Sequence, residues 1–231
     1  MFGLEIAAVG LLHLASSERK TTADFIKSQV ECRAKVPPKV RIKPTKAKIQ
    51  YDFTKSKEDL KNFDIDTVSP YGPGHETHVG GLMRGEIQMK KETSFLQETY
   101  AHLGYGCFYV GEIDVGIHME PTIFVANEHK KGTCKHRVIL EHEKKHVRED
   151  QLIVNKYAGL VGKEIKSFLK AEGYSYGPFK ISELEKWQKD MQEALGALVI
   201  AQNDAMNKER RKRQQAIDSL EEYERISKAC P

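Results

Sequence analysis

A chain of 231 residues, 39% of them hydrophobic, can bury a sizeable core, which excludes global disorder. The net charge of +4 comes from 37 basic and 33 acidic residues interspersed along most of the chain, so composition gives no argument for a nucleic-acid partner. No apolar stretch reaches the length needed to span a bilayer, so no integral membrane span is expected.

The N-terminal "MFGLEIAAVGLLHLASSERK" has an apolar run, Ile6 to Ala15, ending in small residues at Ala15, Ser16 and Ser17. Residues 1–17 read either as a signal peptide or as a buried N-terminal helix. The first reading implies a periplasmic or secreted protein, and the second leaves the cytoplasm open. Residues 18–47 form a basic, Pro-rich linker or extension, with a strand starting around Ile49 and Tyr51. "SKEDLKNF" reads as a short helix with Ser56 as its N-cap.

"GPGHETHVGG", with His75 and His78, is a Gly-rich loop that matches no phosphate-binding fingerprint, and alternation from His78 onward predicts a strand. "GCFYVGEIDVGIHME" and "TIFVANEH" are β-rich runs broken at Glu120-Pro121, which predicts a hairpin. "KKGTCK" is the turn out of the sheet, with Thr133 as an N-cap. From about Lys135 to Leu169 the apolar spacing is helical, weakened at Gly159 and Gly162. "AEGYSYGPF" reads as a loop. Residues 173–231 form a C-terminal helical region with Leu184, Trp187, Met191, Leu195 and Leu198 on one face. That stripe is either internal packing or a homodimer seam. The basic run Lys208 to Arg213 reads as a solvated face rather than a nucleic-acid patch, because no aromatic residue is interleaved with it. Cys32, Cys107, Cys134 and Cys230 suit an exported protein with one or two disulfides, and three connectivities are open.

Chemistry concentrates in "HEKKH". On a helix, His142 and His146 sit one turn apart on one face, so both imidazoles can reach one ion about 2 Å away. Glu143 lies about 100° around the helix, placed to act as general base on a water polarised by that ion. A di-iron carboxylate site would need a second ExxH, and none exists. Glu149 and Asp150 are placed to orient a histidine from outside the ligand set. His118, His129 and His136 remain open as further ligands, and Tyr157 and His118 as stabilisers of an oxyanion.

The segment from Tyr109 to Ile165, with its strands, turn, "ILEHEKKH" helix and long continuation, resembles a bacterial family of secreted zinc-dependent proteases, catalogued mainly as a domain of unknown function. The resemblance implies Zn2+ held by His142 and His146, with Glu143 as catalytic base, in a zincin-like domain over residues 48–172. It also implies an α+β fold: a small twisted antiparallel or mixed sheet on a long HExxH-bearing helix, followed by the C-terminal helices. Glu164, eighteen residues beyond His146, resembles the third ligand of the glutamate-liganded zinc peptidases. It reaches the metal only if the chain reverses near Gly159 to Gly162, since on one straight helix it lies about 27 Å away. The function expected is hydrolysis of a peptide or protein substrate held beside the hairpin edge. The alternative is a non-enzymatic envelope binding or scaffold protein with a structural or vestigial metal site.

Overall fold

Alternate residues from Ile113 to Val125 are apolar, and the chain folds there as one continuous strand that turns this set to the core, while Phe124 is buried on the other face against Leu60. The structure is a computed structural model describing residues 24–25, 28–34, 36–63, 67–71 and 80–230. Residues 1–17, His75 and His78 lie outside the described residues.

In chain order the elements are β1 (Lys39–Lys46), β2 (Gln50–Asp52), α1 (Lys57–Lys61), β3 (Gly81–Tyr100), β4 (Tyr105–Val125), α2 (Cys134–Glu172), β5 (Ser175–Lys180), α3 (Leu184–Ile217) and α4 (Leu220–Lys228). The fold is mixed α+β, a five-stranded sheet ending in a long helical region. β4 is the central strand. β3 pairs antiparallel along its whole length on one side. Antiparallel β5 and then parallel β1 and β2 share the other side.

The expected hairpin within residues 106–129 is not what forms, because the chain runs straight through Pro121. On one side, pairing passes from β1, ending at Lys46 opposite Met119, to β2, starting at Gln50 opposite Thr122. Pro121 falls in that gap, so its missing N–H costs no ladder bond there. The hairpin is instead β3 with β4. Residues 39–46, expected as linker, form β1, and within the expected loop at 171–179 the residues from Ser175 onward enter β5. In β5, Tyr176 and Phe179 stack on Phe108, so packing outweighs a turn-like Gly-Pro composition.

The predicted caps are present: Ser56 accepts from the backbone N–H of Asp59, and Thr133 from that of His136. α2 runs unbroken for 39 residues. Gly162 does not end it; a Cβ there would lie 3.2 Å from Ile42, so the glycine lets β1 approach the helix closely. Ile139, Val147, Ile153, Val154, Tyr157, Val161 and Ile165 line its buried face. They meet Ile113, Val115, Ile117 and Met119 of β4 and Leu195, Val199 and Met206 of α3 in one core. The C-terminal stripe is therefore internal packing at Leu195, while Trp187 stacks on Phe179.

Disulfides join Cys32 to Cys107 and Cys134 to Cys230. Among the described residues no helix is long and apolar enough to cross a membrane.

Candidate metal centre

Three elements meet at one end of the core: the first third of α2, the start of β3 and the junction between α3 and α4. α2 buries His142, Glu143 and His146 on the face that also carries Ile139 and Asp150. α3 ends at Ile217 and α4 starts after Ser219, whose hydroxyl accepts from the Glu222 N–H. Asp218 sits at that break, buried, with its carboxylate against both imidazoles.

His142 Nε2 and His146 Nε2 lie 3.1 and 3.2 Å from Asp218 Oδ1, and 3.3 Å from each other. Tetrahedral zinc with bonds of about 2.05 Å spaces its ligand atoms by about 3.3 Å. The triangle matches that edge, and His142, His146 and Asp218 could hold a metal ion. Three protein ligands leave one position for water or substrate.

The outer nitrogens are held as well. Buried Gln214 donates from Nε2 to Asp150 Oδ1 at 2.5 Å and to the His146 carbonyl at 3.2 Å. Its Oε1 therefore faces His146 Nδ1, which must carry the proton. His142 Nδ1 faces Glu222 Oε1 at 3.2 Å, so it too is an N–H. Both Nε2 lone pairs then point inward at Asp218. A proton or a cation is favoured at their centre. Burial opposes a charge on His146, yet hydrogen bonding to Asp218 and the carboxylates of Glu143 and Asp218 outweigh it and raise its pKa. Burial likewise opposes a charge on Asp218, but its bonds to His142 and His146 hold it well below the usual carboxylate range. Arg225, Lys145 and His142 together hold Glu222 down at about 2 against the effect of burial.

Comparison with protein-family models, with curated proteins and with solved structures gives no match to this chain. The site is therefore read from its own geometry.

Beside the triangle is a cavity of about 230 Å³, lined by Gly81, Met83, Glu143 and Tyr223 among others. Burial is the main cause that pushes the Glu143 carboxyl up to about 7, the two imidazoles opposing, and its side chain accepts from the Met83 N–H. The carboxyl fits only because residue 81 is glycine: a Cβ there would stand 2.8 Å from Glu143 Oε1 and 2.4 Å from Ile139 Cγ2. Tyr223 stands edge-on to His142, with ring centroids 6.2 Å apart. Burial and the nearby Asp218 and Glu143 charges raise its pKa, so its hydroxyl keeps its proton. Thr67 hydrogen-bonds Asp218 from a separate segment.

Several expectations are corrected. Glu164 is on the same unbroken α2 as His146, about 27 Å along the axis, and the third member of the cluster is Asp218. Glu149 accepts from Arg213 and touches neither histidine. Asp150 does support His146, though through Gln214, and Arg210 bonds it at 2.7 and 3.1 Å. His118 lies between Thr45 and Glu120. His129 gives its carbonyl to His136, whose ring packs on Phe53. None of these three joins the cluster. Tyr157 donates to Glu209, so the phenol in the cavity is Tyr223.

Asp218, Gln214, Glu222 and Tyr223 were not singled out by sequence. One signal was present: "DSLEE" places Ser219 three residues before Glu222, a capping pattern marking a helix start and hence a break at Asp218.

Proposed function

We propose that this chain is a zinc-dependent peptidase, and the observation that supports it is the buried His142–His146–Asp218 triangle with Glu143 at its side. Zinc, when bound, supplies Lewis acidity that polarises a carbonyl and makes water acidic near neutral pH. Glu143 is the group that takes a proton on its carboxylate and returns it to the leaving amine, a role suited to a carboxyl poised near 7. The Tyr223 hydroxyl faces the same cavity and is the donor available to a developing oxyanion.

A peptide is the favoured substrate because of β3. Among the described residues no strand pairs with the edge of β3 away from β4, and Gly81 to Gly85 of that strand line the cavity. An extended chain can add to such an edge through backbone hydrogen bonds, at the groups other than the Met83 N–H and the Gly85 carbonyl, which Glu143 and Arg210 already engage. The Cys32–Cys107 and Cys134–Cys230 bonds fit an oxidising compartment, so the periplasm or the exterior is where we place the activity.

Metal analysis and peptide hydrolysis test this together. The purified chain should carry one zinc, lost in His142→Ala. Glu143→Gln should keep the zinc and lose cleavage of a broad peptide library by about a hundredfold or more. Wild type without zinc in metal-replete buffer refutes the metal centre. Zinc-loaded wild type that cleaves no peptide refutes the peptidase.

A further inference from the structure

We propose that the Cys134–Cys230 disulfide gates the metal centre, completing it when closed and releasing the segment that carries Glu222 and Tyr223 when a dithiol reductant opens it. The inference rests on the metal reading above.

α4 is only nine residues long and has no fully buried side chain. A helix that short does not persist without tertiary support. Its polar links to α2 are few: Lys145 Nζ to Glu222 Oε1 at 2.6 Å, His142 Nδ1 to Glu222 Oε1 at 3.2 Å, and Lys135 Nζ to the Ile226 carbonyl at 3.0 Å. Lys145 is partly exposed, and ion pairs of that kind contribute little. The covalent tether is the disulfide, which fastens Cys230 just beyond α4 to Cys134 in the first turn of α2. One turn of α2 after another then leads from Cys134 to His142. The bond thus holds Glu222 against His142 and Tyr223 over the cavity, and it closes the chain around Asp218.

The two disulfides differ in access. Cys107 is fully buried and only its partner Cys32 is partly exposed, whereas Cys134 and Cys230 are both partly exposed. In the opening step one thiolate of the dithiol attacks a sulfur of the bond and the other cysteine leaves as thiolate. The second thiol resolves the mixed disulfide, so two cysteine thiols form and the reductant is oxidised to its own disulfide. Closing in an oxidising compartment is the reverse. The chain would then load metal firmly only after that bond has formed, which keeps it inactive in a reducing one.

The test is zinc affinity measured by chelator competition on wild type and on Cys134→Ser/Cys230→Ser, which keeps Cys32–Cys107. The expected result is about 10- to 100-fold weaker binding in the variant, the range for losing a partner that orients a ligand. Circular dichroism should show the helices retained. Should the variant not fold, folded wild type is reduced in steps and the alkylated cysteines are identified by mass spectrometry. Affinity should then fall in step with alkylation of Cys134 and Cys230. Equal affinity with the bond open or closed overturns the gate while leaving the metal centre standing. Absence of zinc from oxidised wild type overturns both.

Discussion

Asp218→Asn tests the centre at the residue that sequence did not single out. The change keeps the side chain's size and removes its charge. In the structure Asp218 Oδ1 serves both imidazoles, at 3.1 and 3.2 Å, so the substitution touches every edge of the triangle but the one between the histidines. Four-ligand structural zinc sites bind with roughly 10–16 kcal/mol, or about 3 kcal/mol for each ligand. Losing a charged ligand should therefore weaken zinc binding by about two orders of magnitude. Glu164→Gln on the same protein is the control, because Glu164 stands about 27 Å along α2 from His146 and should change affinity less than about twofold. Zinc is titrated against a chromophoric chelator at neutral pH, with circular dichroism to confirm the fold of each variant. Wild-type affinity in Asp218→Asn would refute the assignment. So would loss of zinc in Glu164→Gln, which would mean that α2 reverses after all.

Two further outcomes follow from packing. Gly81→Ala places a Cβ inside contact distance of Ile139 and Glu143, at 2.4 and 2.8 Å, so it should cost about 1–3 kcal/mol in urea unfolding and lower hydrolysis by displacing the carboxyl; an unchanged midpoint would contradict the close approach of β3 to α2. Asp150→Ala removes the fully buried carboxylate shared by Arg210 and Gln214 and should cost about 3–5 kcal/mol, whereas Glu149→Ala, whose partner Arg213 is partly exposed, should cost under about 1 kcal/mol; equal losses in chemical denaturation would count against this assignment of the network.

The sequence made legible what depends on local pattern. Alternation along β4, the helical spacing of α2 and the caps at Ser56 and Thr133 are short-range signals, and each appears in the structure. It was misleading where partners at a distance decide. Pro121 looks like a break until the gap between β1 and β2 is known, and "SYGPF" looks like a loop until Phe108 is placed beside it. The site divides the same way. His142 and His146 are read from a spacing of four residues, but the third member of the cluster cannot come from that helix, because a straight helix carries its next turn away from the two imidazoles. It comes from a helix junction 72 residues beyond His146, and no spacing rule reaches that far. The charged run at 208–213 reads as solvated surface, yet Arg210 and Arg213 point back to Asp150 and Glu149.

The two histidines could also be read as metal-free core groups, and the hydrogen bonding argues against that reading while leaving a scaffold with a structural metal open. A core histidine is satisfied by one donor and one acceptor on its two nitrogens. Here Gln214 from α3 and Glu222 from α4 commit both Nδ1 atoms as donors. Two separate helices thus commit both Nδ1 atoms, which leaves the two Nε2 atoms 3.1 and 3.2 Å from one carboxylate oxygen and 3.3 Å from each other inside the core. An arrangement selected only for packing would relieve that crowding by turning one ring or replacing Asp218 with a donor. Buried Asp150 instead orients Gln214, and with Arg210 beside it that carboxylate is itself fixed. Such a relay holds an electron-rich centre in place, one that a proton or a cation stabilises.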